Sequence, residues 1–97
     1  MVRLRIEFQA EFGRAAELIE ILREGDGFME RYGFPAGRLM VDLTGPRSLV
    51  VLERDFESVA QWETIGERVT KAPEFEAWER RRDALVQSGT RQWFRLI

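Results

Sequence analysis

Cysteine, histidine and asparagine are missing from this chain, and its single lysine, Lys71, stands against fourteen arginines. Without cysteine there are no disulfides, thiolate metal sites or thiol nucleophiles. Without histidine the commonest zinc ligand, a histidine-held haem and any triad built on imidazole are excluded as well. No metal site and no cofactor are expected. Absent Asn and Cys with abundant Arg and Glu fit a thermophilic source, although a GC-rich genome produces the same arginine bias.

Long apolar runs are also lacking. The longest span about four residues, as in Leu49-Val50-Val51-Leu52, far short of the roughly 20 that cross a bilayer. The amino-terminal Met1 to Ile6 alternates charged and apolar side chains, unlike the continuous apolar stretch of a signal peptide. The expectation is a cytoplasmic protein with no membrane partner. A formal net charge of −2 supplies no global positive field, so nucleic acid is not an expected partner either. The basic run Arg80-Arg81-Arg82 has Glu76 four residues before Arg80 and Glu79 three before Arg82, the spacing of solvated helix pairs.

What is present is the material of a packed core: 97 residues, 44% hydrophobic and 33% charged, with three Trp and seven Phe. We expect a single domain over residues 1–97. A chain of this size buries only roughly 60 to 68% of the surface its unfolded form exposes, so a partner subunit would add stability.

Hydrophobic periodicity divides the chain. Val2, Leu4, Ile6 and Phe8 alternate with Arg3, Arg5 and Glu7, which predicts a first strand with one apolar face. From about Phe12 the spacing turns helical, with Ala15, Ile19 and Leu22 on one stripe that Phe28, Met29 and Tyr32 carry on to a stop at Gly33. Gly25 and Gly27 interrupt this helix. They do not follow a strand and no lysine comes after them, so they are read as close packing or helix irregularity and not as a phosphate loop.

Leu39, Val41 and Leu43 predict a second strand, Gly45-Pro46-Arg47 a turn, and Ser48 to Glu53 a third strand apolar on both faces and hence central. Asp55 is the predicted cap of a helix carrying Val59, Trp62 and Val69, and Pro73 opens a second helical piece with Phe75, Trp78 and Leu85 inward. Ser88-Gly89 is read as the break before a last strand through Arg91, Trp93 and Arg95. The βαββαβ order predicts an α+β sandwich, a four-stranded antiparallel sheet with its helices on one face. An RNA-recognition domain of that order would place aromatics on strands 1 and 3, and strand 3 has none.

With helices on one face, Arg3, Arg5 and Glu7 must meet water or another subunit, and charges turned toward a partner must be paired or hydrated. Trp93 is grouped with them as a candidate interface residue, because Trp and Met among opposite charges suit a subunit contact. Met40 and Asp42 share one parity on strand 2; spacing alone leaves open which parity faces the helices.

The element order, together with Asp55-Phe56-Glu57-Ser58-Val59-Ala60-Gln61-Trp62-Glu63 and Pro73-Glu74-Phe75-Glu76-Ala77-Trp78, resembles the dimeric α/β-barrel superfamily of ferredoxin-like domains. The likeness is to its antibiotic-biosynthesis-monooxygenase-like and NIPSNAP-like members and covers nearly the whole chain. It implies a homodimer with back-to-back sheets and, as in many members, a small organic ligand between each sheet and its helices. The histidine that haem-degrading members and chlorite dismutases use is absent here, as is the asparagine that haem-degrading and quinone-forming members commonly use. No catalytic residue is carried over.

Trp62, Trp78 and Tyr32 are the candidate ligand-binding residues, against core packing for the two tryptophans and a wet capping role for the tyrosine. Glu7, Asp42 and Glu53 are strand carboxylates suited to general-base work if desolvated. Arg3, Arg5 and Arg38 are on hand to neutralise them. Two functions stay open: a small-molecule-binding protein, with or without cofactor-independent catalysis, and a non-catalytic dimerisation or ligand-sensing module.

Overall fold

The computed structural model describes residues 1–45 and 47–97. Strands β1 (Val2–Ala10), β2 (Arg38–Val41), β3 (Leu49–Phe56) and β4 (Val86–Arg95) form one antiparallel sheet in the order β2-β3-β1-β4. Helices α1 (Ala15–Arg31), α2 (Val59–Thr70) and α3 (Phe75–Asp83) follow β1 and β3. The predicted α+β architecture is the one observed. The two longest pairings, β1 with β3 and β1 with β4, place the most apolar strands at the centre, where both edges are hydrogen-bonded.

Strand periodicity decides what each face carries. Leu4 and Phe8 of β1 with Val50, Leu52 and Phe56 of β3 are buried, on the side where Leu18, Leu22 and Phe28 of α1, Ile65 and Val69 of α2 and Trp78 of α3 complete the core. The other parity gives the open face: Arg3, Arg5 and Glu7 beside Asp55, Glu53 and Val51. The charges there find partners within the chain. Arg3 donates to Asp55 through Nε at 2.8 Å and Nη2 at 3.1 Å, Arg5 donates to Glu53 at 2.7 Å, and the Thr90 hydroxyl donates to Glu7 at 3.4 Å. Glu53 is only 6% exposed as a result, a carboxylate made tolerable in the sheet by two guanidiniums.

Element ends differ from the sequence reading in four places, each for a local reason. Helix α1 begins at Ala15, leaving Phe12 76% exposed beneath the Arg47 guanidinium at 5.2 Å. Strand β2 ends at Val41, and Leu43, although in period, lies beyond the pairing and is fully exposed. Strand β3 continues through Arg54 and Asp55 to Phe56, so Asp55 is a strand residue. The α2 cap is Ser58, whose Oγ accepts the Gln61 N–H at 3.0 Å while the Gln61 side chain accepts the Glu57 N–H at 2.8 Å. Ser88-Gly89 lies inside β4, with Gly89 opposite Phe8; a Cβ on Gly89 would meet the Glu7 carbonyl oxygen at 3.2 Å, the close backbone approach that favours glycine in a strand. Of the predicted Gly45-Pro46-Arg47 turn, Pro46 lies outside the described residues.

The end of α1 is as the sequence indicated. Gly33 takes φ 113°, its N–H reaches the Glu30 carbonyl, and the Phe34 N–H reaches back to Met29, the pair of bonds of a Schellman stop. This turn aims Phe34 at the sheet, where it meets Phe56 edge-on at 5.4 Å.

Candidate functional site

Between the sheet and the helices lies a cleft of about 640 Å3. Its floor is the helix-side row of the two central strands, Leu4, Ile6, Phe8 and Leu52, and aromatic walls come from Phe34, Trp62, Phe75 and Trp78. Trp78 is buried, and its Nε1–H donates to the Ile21 carbonyl at 2.6 Å, which ties α3 to α1. Gly25 leaves room for that indole: a Cβ there would lie 2.3 to 2.6 Å from its ring atoms. Trp62 is half-buried on α2 and meets Trp93 edge-on at 5.4 Å.

One charged pair sits among these apolar groups. Arg54 takes the inward position of β3 between Leu52 and Phe56, and only 4% of it is exposed. Its Nη2 pairs with Asp26 of α1 at 2.5 Å and its Nη1 donates to the Pro35 carbonyl at 2.6 Å. Its plane lies near the Phe34 ring, and Met29 Sδ is 3.8 Å from Nη2. Burial lowers the pKa of Arg54, and the Asp26 carboxylate offsets only part of that; guanidinium remains the charged form at any ordinary pH. Asp26 also accepts the Gly37 N–H at 3.3 Å.

Charges of both signs line the rest of the cleft. Glu63 and Glu67 come from α2, Glu79 and Arg82 from α3, and Arg91 from β4. Arg82 pairs with Asp83 at 2.8 Å and more loosely with Glu79 at 3.6 Å, and lies over Trp78 at 5.0 Å, while Arg91 lies over Trp62 at 5.0 Å. Among the described residues no cluster of three or more acidic side chains is placed to hold a metal ion.

The structure thus brings Trp62 and Trp78 together in one cleft and leaves Tyr32 outside its lining. Tyr32 caps α1 and donates its hydroxyl to Glu74 at 3.2 Å, joining the end of α1 to the start of α3. Glu7 and Glu53 lie on the open face, and Asp42, beyond the end of β2, accepts the Leu49 N–H at 3.1 Å; none of the three lines the cleft. Trp93 does not share a face with Arg3, Arg5 and Glu7. It sits opposite Leu4 in the β1–β4 register, hence on the helix side, and the open-face aromatic of β4 is its neighbour Phe94, opposite Arg3. Sequence reasoning missed Arg54 and Asp26. The signal for Arg54 was an arginine at inward parity in the row Val50, Leu52, Phe56.

Solved structures with the same arrangement are numerous, and the similarity extends over the whole chain. A NIPSNAP domain protein from Burkholderia xenovorans superposes with a TM-score of 0.86 at 16% identity, covering 100% of this chain and 95% of that one. The chain is ferredoxin-like. A NIPSNAP family protein from Agrobacterium tumefaciens gives 0.86 at 15% identity over 99% of this chain and 92% of the other. An antibiotic biosynthesis monooxygenase gives 0.75 at 15% identity over 100% and 99%. No family model matches the sequence, and no curated protein does. At these identities the ferredoxin-like fold is what the structures share. No helix is long and apolar enough to cross a membrane among the described residues.

Proposed function

We propose that this ferredoxin-like chain binds a small organic molecule in the cleft between its sheet and helices, and does so as a homodimer. The observation that carries the first part is the cleft itself: about 640 Å3, within the range of roughly 300 to 1,000 Å3 typical of ligand sites. It is walled by aromatic rings and contains a single buried ion pair. Apolar walls supply affinity and a few fixed polar groups supply orientation. We read the cleft as a binding site first. The Asp26 carboxylate is already engaged by Arg54 and the Gly37 N–H, and the remaining carboxylates belong to exposed or half-buried residues of α2 and α3.

The homodimer rests on the open face. Met40 and Val51 lie directly opposite each other there, Phe94 is partly exposed beneath Arg5 at 5.8 Å, and four of the neighbouring charges, Arg3, Arg5, Glu53 and Asp55, are paired within the chain. A face whose charges are already paired loses less on desolvation than one carrying lone ions.

Native mass spectrometry of protein purified without denaturation, followed by calorimetric titration with a panel of planar aromatic molecules, tests the binding reading. A retained molecule, or a panel compound whose affinity falls about tenfold in Trp62→Ala, is the expected result. Absence of both overturns it.

A further inference from the structure

The charge arrangement inside the cleft says which ligands it admits, an inference that rests on the binding reading above. We infer that the cleft selects uncharged aromatic molecules that offer a carbonyl oxygen to the Arg54 guanidinium, and discriminates against the corresponding carboxylates.

Arg54 is a hydrogen-bond donor with capacity to spare. The protein acceptors it has, Asp26, the Pro35 carbonyl and Met29 Sδ, are all on Nη1 and Nη2. Its Nε–H has no acceptor among the described residues, and among them no side-chain nitrogen or oxygen is both buried and without a partner. Arg54 itself lines the cleft, which puts a guanidinium with an N–H to spare beside any molecule held there. A donor held this way favours a ligand with an acceptor and penalises an analogue without one, because the unmatched group stays desolvated.

An arginine in a pocket suggests an anion, but the surrounding charges oppose that choice. Asp26 already neutralises Arg54 at 2.5 Å. Four carboxylates, Asp26, Glu63, Glu67 and Glu79, line the cleft with three guanidiniums, Arg54, Arg82 and Arg91, a net charge of −1. Even with Arg54–Asp26 and the looser Arg82–Glu79 contact counted as pairs, although Asp83 holds Arg82 more closely at 2.8 Å, two acids, Glu63 and Glu67, remain against Arg91. A carboxylate delivered to Arg54 would pass those acids and come to rest beside Asp26, in apolar surroundings where like charges repel strongly. An ammonium would meet the guanidinium instead. A carbonyl oxygen accepts from Arg54 and leaves the ion pair neutral.

Three probes of one shape separate the possibilities: naphthalene carboxamide, naphthalene carboxylate and naphthyl methylamine, titrated calorimetrically at neutral pH and low salt against the full chain and against Asp26→Asn. The amide should bind the wild type at least about tenfold more tightly than the carboxylate or the amine. In Asp26→Asn, loss of one like charge should shift the carboxylate-to-amide affinity ratio by about tenfold in favour of the carboxylate. Should Asp26→Asn fail to fold, the surface variant Glu63→Gln/Glu67→Gln should move the carboxylate in the same direction. A carboxylate or amine that matches the amide on the wild type overturns the inference, as does a selectivity ratio that neither variant shifts. Failure of all three probes to bind, while the aromatic panel does bind, removes the Arg54 contact; failure of every compound removes the cleft reading itself.

Discussion

Two glycines separated by one residue have opposite expected responses to the same substitution. A methyl group on Gly25 would be driven into the Trp78 indole at 2.3 to 2.6 Å, whereas one on Gly27 meets nothing within 4 Å. Trp78 has little room to yield, since its Nε1–H is bonded to Ile21 and Phe28 meets it edge-on at 5.6 Å. Gly25→Ala should destabilise the chain by about 1 to 3 kcal/mol or more through overpacking. Gly27→Ala should stabilise it by about 0.5 to 1 kcal/mol through helix propensity and lost unfolded-state freedom. Urea unfolding of both variants checks this, and equal effects of the same sign would refute the packing role of Gly25. Close packing was one of two readings the sequence allowed for this pair of glycines. Its partner was not legible, because nothing local to Gly25 indicates an indole 53 positions away.

Tyr32 is the only tyrosine, so its ionisation can be followed by tyrosinate absorbance without assignment. Burial raises its pKa, and the hydrogen bond to Glu74 and that carboxylate's charge raise it further, against a small opposing effect of Arg31. The folded protein should titrate above the usual tyrosine value of about 10, and Glu74→Gln should bring the midpoint down. By linkage, the contact contributes fully below the unfolded-state pKa and is lost as pH rises through the higher folded value. An unshifted midpoint in both proteins would remove the α1–α3 clasp.

At the scale of elements, the cross-strand ion pairs of β1 and β3 make sheet stability depend on acid. Hydrogen bonds from Arg3 hold the Asp55 carboxyl below its usual range; burial opposes them, and the charges of Arg3, Arg38 and the amino terminus assist. A depressed carboxylate stabilises above its unfolded pKa, and that contribution disappears as pH falls through the folded value. Asp55→Asn should therefore be less stable than the wild type near neutrality, with the difference closing between roughly pH 5 and pH 2. Thermal melts across that range measure it; a difference independent of pH would show that the pair is not responsible. The elements themselves were readable, because a period of two marks strands even when one face is fully charged. Their ends were less so. Asp55 has the chemistry of a helix cap, and only the sheet register, which brings it against Arg3, keeps it in β3 and leaves capping to Ser58. Gly89 likewise has the composition of a helix break, and its place in β4 comes from strand pairing with Phe8.

For the molecule as a whole, the unresolved balance lies on the open face. The helices leave that side of the sheet uncovered, and the sequence showed its charges but not their partners. Asp55 was read outside the sheet, and the pairing of Arg5 with Glu53 depends on a register that spans 48 positions. The cleft was partly legible for the same reason: Trp62 and Trp78 followed from helical periodicity, whereas Arg54 and Asp26 meet only after β3 is laid beneath α1. With Arg3 and Arg5 paired to Asp55 and Glu53, the open face presents the apolar strip of Val51 and Met40 beside them, a surface suited to a second copy of the same strip. Sedimentation of the wild type should give a dimer at micromolar concentration, with a melting temperature that rises with protein concentration. Val51→Glu sets a second carboxylate opposite Glu7 at the centre of the strip without touching the cleft, so it should yield a monomer that still binds the ligand of the wild type, and with a concentration-independent melt. A wild type that sediments as a monomer would refute the dimer. A monomeric Val51→Glu that has lost binding would show instead that the cleft depends on the partner, because Val51 faces away from every residue that lines it.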